Sequence, residues 1–184
     1  GGFDWLYPLR IGIVAAVLYY YRHVYSKLFS TVNWHAPTIG IVVFIIWMLL
    51  EPNKQGNGVT LLQGLEKLPN GWIVLWLGSR VVGSVVVVPL AEELAFRSYL
   101  IRRLISKNFE NVPNGHFSWL SFIISSVLFG LLHDRWIAGI IAGMGYAIAL
   151  YRRGNLGDAV IAHMTTNLLI AITVLTQGRW SLWN

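Results

Sequence analysis

Hydrophobic positions in this chain come in long runs with short polar breaks, showing neither strand alternation nor one narrow amphipathic stripe. The runs fall at 9–25, 34–50, 72–88, 91–107, 117–133, 136–151 and 158–176. Each is close to the roughly 20 residues a helix needs to cross the hydrocarbon of a bilayer. Tyr19, Tyr20 and Tyr21 lie near the end of the first run, where aromatic rings prefer the membrane interface. Pro37 falls in the first turn of the second, where a missing N–H does no harm. Pro89 separates the third run from the fourth and predicts a stop or kink there. The one long polar connection, 51–71, contains a stretch at 59–68 suited to a short amphipathic helix on the membrane surface. The pattern predicts an all-α, polytopic integral membrane protein. About seven transmembrane helices would form one bundle and one domain over 1–184, with 1–70 supplying the N-terminal helices and loop.

Composition strengthens the membrane reading. Only 12% of residues are charged and 55% are hydrophobic, against roughly 25% charged in soluble domains. The absence of Cys excludes a disulfide framework, a thiolate metal site and a cysteine nucleophile. A net charge of +6 could suit nucleic acid, but the basic residues form no patch interleaved with aromatics. They cluster at the ends of apolar runs, which points to the positive-inside rule and to no nucleic-acid partner. With seven crossings, Arg10, Lys54, Lys67, Arg102, Arg103, Lys107, Arg152 and Arg153 share one face, and Arg22, Lys27, Arg135 and Arg179 the other. That imbalance places the N-terminal end in the cytoplasm. The opening Gly1-Gly2-Phe3-Asp4 lacks an initiator Met, so a segment of a longer polypeptide is expected.

The chemistry gathers where charge interrupts these runs. Glu92, Glu93 and Arg97 lie within six residues of otherwise lipid-compatible sequence. Each ionisable group at a helix centre costs on the order of 2.5–3.5 kcal/mol on insertion scales. Glu93 and Arg97 are spaced i, i+4 with the acid first, which predicts a structural ion pair. Glu92 points about 100° away and is left without a local partner. A carboxylate held away from water and unpaired takes up a proton more readily, as a general base near neutrality must. Both glutamates could instead serve only to satisfy Arg97 and Arg80. Downstream, His133 ends the fifth run in Phe129-Gly130-Leu131-Leu132-His133, and His163 shares a helix face with Asn167 in the seventh. His133, at a run end, could be an interfacial or capping residue, whereas His163 and Asn167 could be helix-to-helix glue worth roughly 0.6 kcal/mol each, or donors aimed at a reacting carbonyl oxygen. No Gly-x-Ser-x-Gly or His-Glu-x-x-His motif is present. A zinc site using Glu92, His133 and His163 with an open fourth position stays open. Arg80, alone in the third run, is expected to snorkel or to pair with a carboxylate from another helix, Glu93 or Asp158 being the candidates.

Glu-Glu-x-x-x-Arg, Phe-x-x-x-His and His-x-x-x-Asn, in this order over a motif core at 89–167, resemble the CPBP family of intramembrane proteases. That family includes Rce1-like CAAX-processing endopeptidases and bacterial Abi (bacteriocin-immunity) relatives. It usually carries Gly after the motif Arg, where this chain has Ser98. The opening Gly-Phe-Asp-Trp-Leu-Tyr-Pro-Leu-Arg also resembles the CAAX-protease-related branch found with bacterial exosortases. The resemblance implies an intramembrane catalytic cavity and a glutamate-type endopeptidase in a bacterial inner membrane. Glu92, helped by His133, would activate water, His163 and Asn167 would stabilise the oxyanion, and Glu93 and Arg97 would be structural. A metal-free mechanism is favoured, with zinc open. The implied partners are a protein or peptide substrate in the membrane, the bilayer, and an exosortase system. The competing readings are a non-catalytic scaffold or immunity protein and, ranked last, a solute or proton carrier. In a seven-span topology Glu92 and His133 lie near one membrane face, with Asn167 about 15 Å in from the other. They meet only if a Pro89 kink and an extension of the fifth helix past His133 bring the first two inward.

Overall fold

The structure, a computed structural model, describes residues 3–29, 31, 33–50 and 58–183. The polar connection at 51–57, and Lys54 with it, lies outside the described residues. Eight α-helices occur in order, with no strand among the described residues: α1 (Tyr7–Tyr20), α2 (Arg22–Tyr25), α3 (His35–Leu49), α4 (Val59–Glu66), α5 (Asn70–Ile105), α6 (Trp119–Leu131), α7 (Trp136–Arg153) and α8 (Leu156–Gln177). A 3₁₀ turn, Trp180–Trp183, follows α8. The expected surface helix is present as α4, whose Leu61 and Leu65, one turn apart, are buried against that turn.

The principal correction concerns Pro89. The third and fourth runs are one continuous helix, α5, of 36 residues. Proline interrupts an α-helix by withholding one N–H and crowding the carbonyl four residues earlier. Here the helix is π-wound over Gly83–Val87, with the Val88 N–H bonded to the Gly83 carbonyl five residues back. In that register the acceptor left without its N–H donor at residue 89 is the Ser84 carbonyl. The Asn167 side chain on α8 donates to it at 2.7 Å. A neighbouring helix thus satisfies the group that proline freed, which is how membrane helices tolerate proline. A second π segment, Leu94–Leu100, follows, so Glu92 and Glu93 lie in the α-helical turn Val88–Glu93 between two π segments. Such local π turns are frequent at functional sites.

Helix α5 would be about 54 Å long at 1.5 Å per residue, well beyond the roughly 30 Å of hydrocarbon. Among the described residues, α5 and α8 are long and apolar enough to cross a membrane, while α1, α3 and α6 are shorter apolar helices. Seven separate spans are therefore not confirmed. Fusing two runs also reverses the direction of everything downstream. Arg153 donates to the Thr31 carbonyl at 2.9 Å, the Asn33 N–H to Asp158 at 3.2 Å, and Gly115 packs on Gly154. The connections around 22–33, 106–118 and 154–155 thus share one end of the bundle. At the other end Trp76 donates to the Asp4 carbonyl, Arg135 to the Ser181 carbonyl, and Gly58 lies beside Trp180. Arg22 and Lys27 consequently sit with Arg102, Arg103, Lys107, Arg152 and Arg153, not opposite them.

Small residues let the helices that carry the site approach closely, as in membrane bundles generally. A Cβ on Gly40 of α3 would lie 2.3 Å from the Ala162 carbonyl oxygen of α8, and one on Gly139 of α7 would lie 2.9 Å from the Gly130 Cα of α6. The core formed there joins Ile101, Phe129, Tyr146, Leu150, Leu156 and Ala159. Large apolar side chains such as Ile13 and Val17 on α1, Val42 and Ile45 on α3, Val74 and Val82 on α5, and Ile172 and Leu175 on α8 face outward. So wide an apolar surface suits a lipid surround.

Candidate active site

Glu93 is the hub of the buried polar cluster. Its side chain and that of Arg97 are fully buried, and the Arg97 Nε lies 3.1 Å from Glu93 Oε2. The i, i+4 pair expected from the sequence is therefore formed. Arg97 is secured further: its Nη2 donates to the Gly143 carbonyl at 2.8 Å, and the guanidinium stacks 4.4 Å from the Phe129 ring centroid. The ion pair, this hydrogen bond and the ring face together offset the burial of the charge, although the Arg97 Nη1 is buried without a hydrogen-bond acceptor.

The other oxygen of Glu93 holds His163. His163 Nδ1 donates to Glu93 Oε1 at 2.9 Å, so this nitrogen carries the proton and Nε2 is the one left for chemistry. Tyr146 stacks on the imidazole at 4.4 Å and 15°, and Phe129 meets it edge-on at 5.7 Å. Glu93 thus orients His163 as well as pairing with Arg97, a second role that spacing alone did not indicate.

Glu92 approaches His163 from the opposite side. Its Oε2 lies 3.9 Å from His163 Nε2, too far for a direct hydrogen bond, and this buried oxygen has no other partner. The side chain is 24% exposed, unlike that of Glu93. One residue round the helix from Glu93, Glu92 meets the second imidazole nitrogen because its neighbour already occupies the first.

A cavity of about 320 Å³ opens beside this cluster, with His133, His163 and Asn167 on its wall. Glu92 was expected there too, but it is not a wall residue and reaches the cavity only by way of His163. His133 lies past the end of α6, whose last residue is Leu131, so the fifth run does not continue as a helix through it. Its Nδ1 donates to the Phe129 carbonyl at 2.9 Å, leaving Nε2 as the acceptor of the neutral ring. Phe129 and Trp47 flank that ring at 4.8 and 5.9 Å. Asn167 uses one Nδ2 hydrogen on the Ser84 carbonyl and retains a second on the same nitrogen. Among the described residues, no three His, Asp or Glu side chains are grouped so as to hold a metal ion.

Arg80 also lines the cavity, and it pairs with neither expected carboxylate. Glu93 is taken by Arg97 and His163, and Asp158 by Arg153 at 3.4 Å and by the Asn33 N–H. Arg80 instead donates to the Trp183 carbonyl and lies over the Tyr7 ring at 4.6 Å. Tyr146, Trp47 and Ser84 are site residues that sequence reasoning missed. Tyr146 had a signal, being the one large polar aromatic in the small-residue stretch Ala142-Gly143-Met144-Gly145-Tyr146-Ala147. Trp47 and Ser84 had none, because one acts through a ring edge and the other through its backbone.

Comparison with known proteins matches the same segment. Residues 72–169, more than half of the chain, match the family described as type II CAAX prenyl endopeptidase Rce1-like. The UPF0177 protein YxdF of Lactococcus lactis subsp. lactis (strain IL1403) is 32% identical over 87 residues, covering 45% of this chain and 43% of that protein. The UPF0177 protein YbdI of the same strain is 29% identical over 92 residues, covering 48% of this chain and 45% of that protein. The chain thus spans less than half the length of these curated relatives. No solved structure matches. None of these matches marks out an exosortase-associated branch. The matched segment carries Glu92, Glu93, Arg97, His133, His163 and Asn167, and on that match the chain belongs to the Rce1-like family of CAAX endopeptidases, a family of membrane-embedded proteases.

Proposed function

We propose that this protein is an intramembrane endopeptidase that hydrolyses a peptide bond near the C-terminus or membrane boundary of a protein or peptide substrate. The observation that carries the reading is Glu92 Oε2, buried, without a hydrogen-bond partner, and 3.9 Å from His163 Nε2 beside the cavity. Glu92 takes a proton from water while the His133 Nε2 lone pair orients the same molecule. The hydroxide attacks the carbonyl carbon. The resulting oxyanion accepts hydrogen bonds from the second Asn167 Nδ2 hydrogen and from His163 Nε2. Because Nδ1 already donates to Glu93, donation from Nε2 calls for a proton on both ring nitrogens. The tetrahedral intermediate collapses as the C–N bond breaks, and Glu92 returns its proton to the leaving amine. Each atom and proton is accounted for by the chain and one water, so no metal-dependent step is invoked.

The revised arrangement of helix ends also bears on orientation. Near the end holding the 106–118 loop lie Arg22, Lys27, Arg102, Arg103, Lys107, Arg152 and Arg153. Near the other lie Arg10, Lys67, Arg135 and Arg179 among the described residues. The positive-inside rule makes the first end cytoplasmic and puts the N-terminal end on the opposite side, the reverse of its place in the seven-span expectation. The cavity, walled by Arg135, Leu182 and Trp183, then opens toward the opposite face.

The test is cleavage of membrane-embedded peptide substrates by purified protein, with and without chelator. Chelator-resistant cleavage that Glu92→Gln abolishes supports the reading, and cleavage lost on chelation contradicts its metal-free form.

A further inference from the structure

The imidazole of His163 is gripped by more than its hydrogen bond. The χ2 torsion of a histidine is broad, so the bond from Nδ1 to Glu93 Oε1 at 2.9 Å leaves the ring plane free to tilt. Tilting swings Nε2, the nitrogen on the Glu92 side, 3.9 Å from that carboxylate. The Tyr146 ring lies flat against the imidazole, with 4.4 Å between centroids and 15° between planes. Phe129 meets the same ring edge-on at 5.7 Å. A stacked face resists tilt, because the planes can part only by opening a gap in a close-packed interior. Tyr146 shares the cavity wall with His163, yet the reaction proposed above gives it no task.

Tyr146 is itself fixed. It is 1% exposed on α7, and its hydroxyl lies beside the Thr166 side chain, which donates to the Gly40 carbonyl at 2.9 Å. One turn earlier, the Gly143 carbonyl accepts from Arg97 Nη2 at 2.8 Å. A Cβ on Gly143 would lie 3.1 Å from the Ser126 Cα of α6, so α7 packs backbone to backbone there. One turn of α7 thus holds both ends of the chain Arg97–Glu93–His163. It takes the guanidinium through a carbonyl and the imidazole through a ring face. A tyrosine that only filled the core would need volume, not a face laid parallel to an imidazole.

We propose that Tyr146 is a positioning residue, whose ring face sets the plane of the His163 imidazole and so aims Nε2 into the cavity. The use of Nε2 as an oxyanion donor rests on the peptidase reading above, whereas the hold on the ring plane does not. A hydrogen bond weakens steeply once its angle falls below about 120°. A ring free to tilt therefore loses a contact made in the transition state and little of the substrate's ground-state binding. The aromatic face carries this role, not the phenol hydroxyl.

The experiment measures kcat and KM for a fluorogenic apolar peptide in micelles, at matched amounts of folded full chain. The variants are Tyr146→Phe, Tyr146→Leu, His163→Gln and the last two combined. Tyr146→Leu is expected to lower kcat at least about 10-fold with KM within about twofold, as for a contact made only in the transition state. Tyr146→Phe should stay within about threefold of the unsubstituted chain, because it keeps the stacked face. In the His163→Gln background, Tyr146→Leu should cost less than about twofold, since residues that act as a unit are not additive. Unchanged kcat in Tyr146→Leu, an equal loss in Tyr146→Phe, or a full loss in the His163→Gln background would overturn the proposal. Spectra of the chain labelled at histidine Cε1 give a readout that needs no cleavage, with His163 identified by the signal that His163→Gln removes. Its Hε1 should lie upfield of those of the exposed His23 and His116 and move downfield in Tyr146→Leu but not in Tyr146→Phe. A His163 signal among those of the exposed histidines would overturn the proposal even where Tyr146→Leu does not fold. The upfield signal without cleavage by the unsubstituted chain would leave the hold on the ring standing and remove the peptidase reading. Cleavage without the upfield signal would do the reverse.

Discussion

Asn167 on α8 donates its side-chain amide to the carbonyl of Ser84 on α5 at 2.7 Å, five residues before Pro89. The proline, the π segment and the asparagine form one device: the first withholds an N–H, the second shifts the register, and the third satisfies the freed carbonyl. This also fixes the Asn167 amide at the cavity wall. In Pro89→Ala an N–H returns to residue 89 and can serve the Ser84 carbonyl itself. Asn167→Ala is therefore expected to cost less stability in the Pro89→Ala background than alone. The coupling should fall in the range of about 0.5–3 kcal/mol found for residues in direct contact. A double-mutant cycle on thermal unfolding in micelles measures it, and strict additivity would show that Asn167 does not compensate for the proline.

Glu93→Gln should damage folding before chemistry. It removes the charge facing a fully buried Arg97 and weakens the hold on His163 Nδ1. Breaking one side of a buried pair costs about 3–5 kcal/mol. Unfolding measured at matched concentration should show this loss for Glu93→Gln and little change for Glu92→Gln, whose carboxylate pairs with no arginine.

Helix contact predicts a second contrast. Gly40→Ala would place its methyl against the backbone of α8, 2.3 Å from a carbonyl oxygen, so the helices must separate. A loss of about 1–3 kcal/mol is expected. Gly12→Ala meets nothing within 4 Å and should change stability by less than about 0.5 kcal/mol. Thermal unfolding of the two variants checks both values.

Orientation can be read by cysteine labelling of this chain, since residues 1–184 contain no Cys to interfere. With an impermeant maleimide on intact cells, Lys67→Cys should label and Asn111→Cys should react only after lysis. The opposite pattern would restore an N-terminal end in the cytoplasm.

Part of this arrangement could be read from the sequence because its cause is local. The Glu93–Arg97 pair follows from i, i+4 spacing, and the helices α3, α6, α7 and α8 follow from uninterrupted apolar runs. Pro89 misled for the opposite reason. Its local effect is to break a helix, and the compensation comes from Asn167, 78 positions later. Arg80 misled likewise: its partners are the Trp183 carbonyl and the Tyr7 ring, and neither a backbone oxygen nor a ring face has a charge signature in sequence. The charge count depends on Pro89 too, because two opposed crossings in place of one helix reverse every later loop.

The account turns on Glu92 as the base and Glu93 as the brace. Glu92→Gln keeps the size and hydrogen-bonding capacity of the side chain while removing its ability to accept a proton. The direct test is substrate cleavage by Glu92→Gln and by the unsubstituted chain at matched amounts of folded protein. The account predicts a fall of at least about 10²-fold, the lower range for losing a general base, with folding intact. Cleavage by Glu92→Gln at the unsubstituted rate would contradict it.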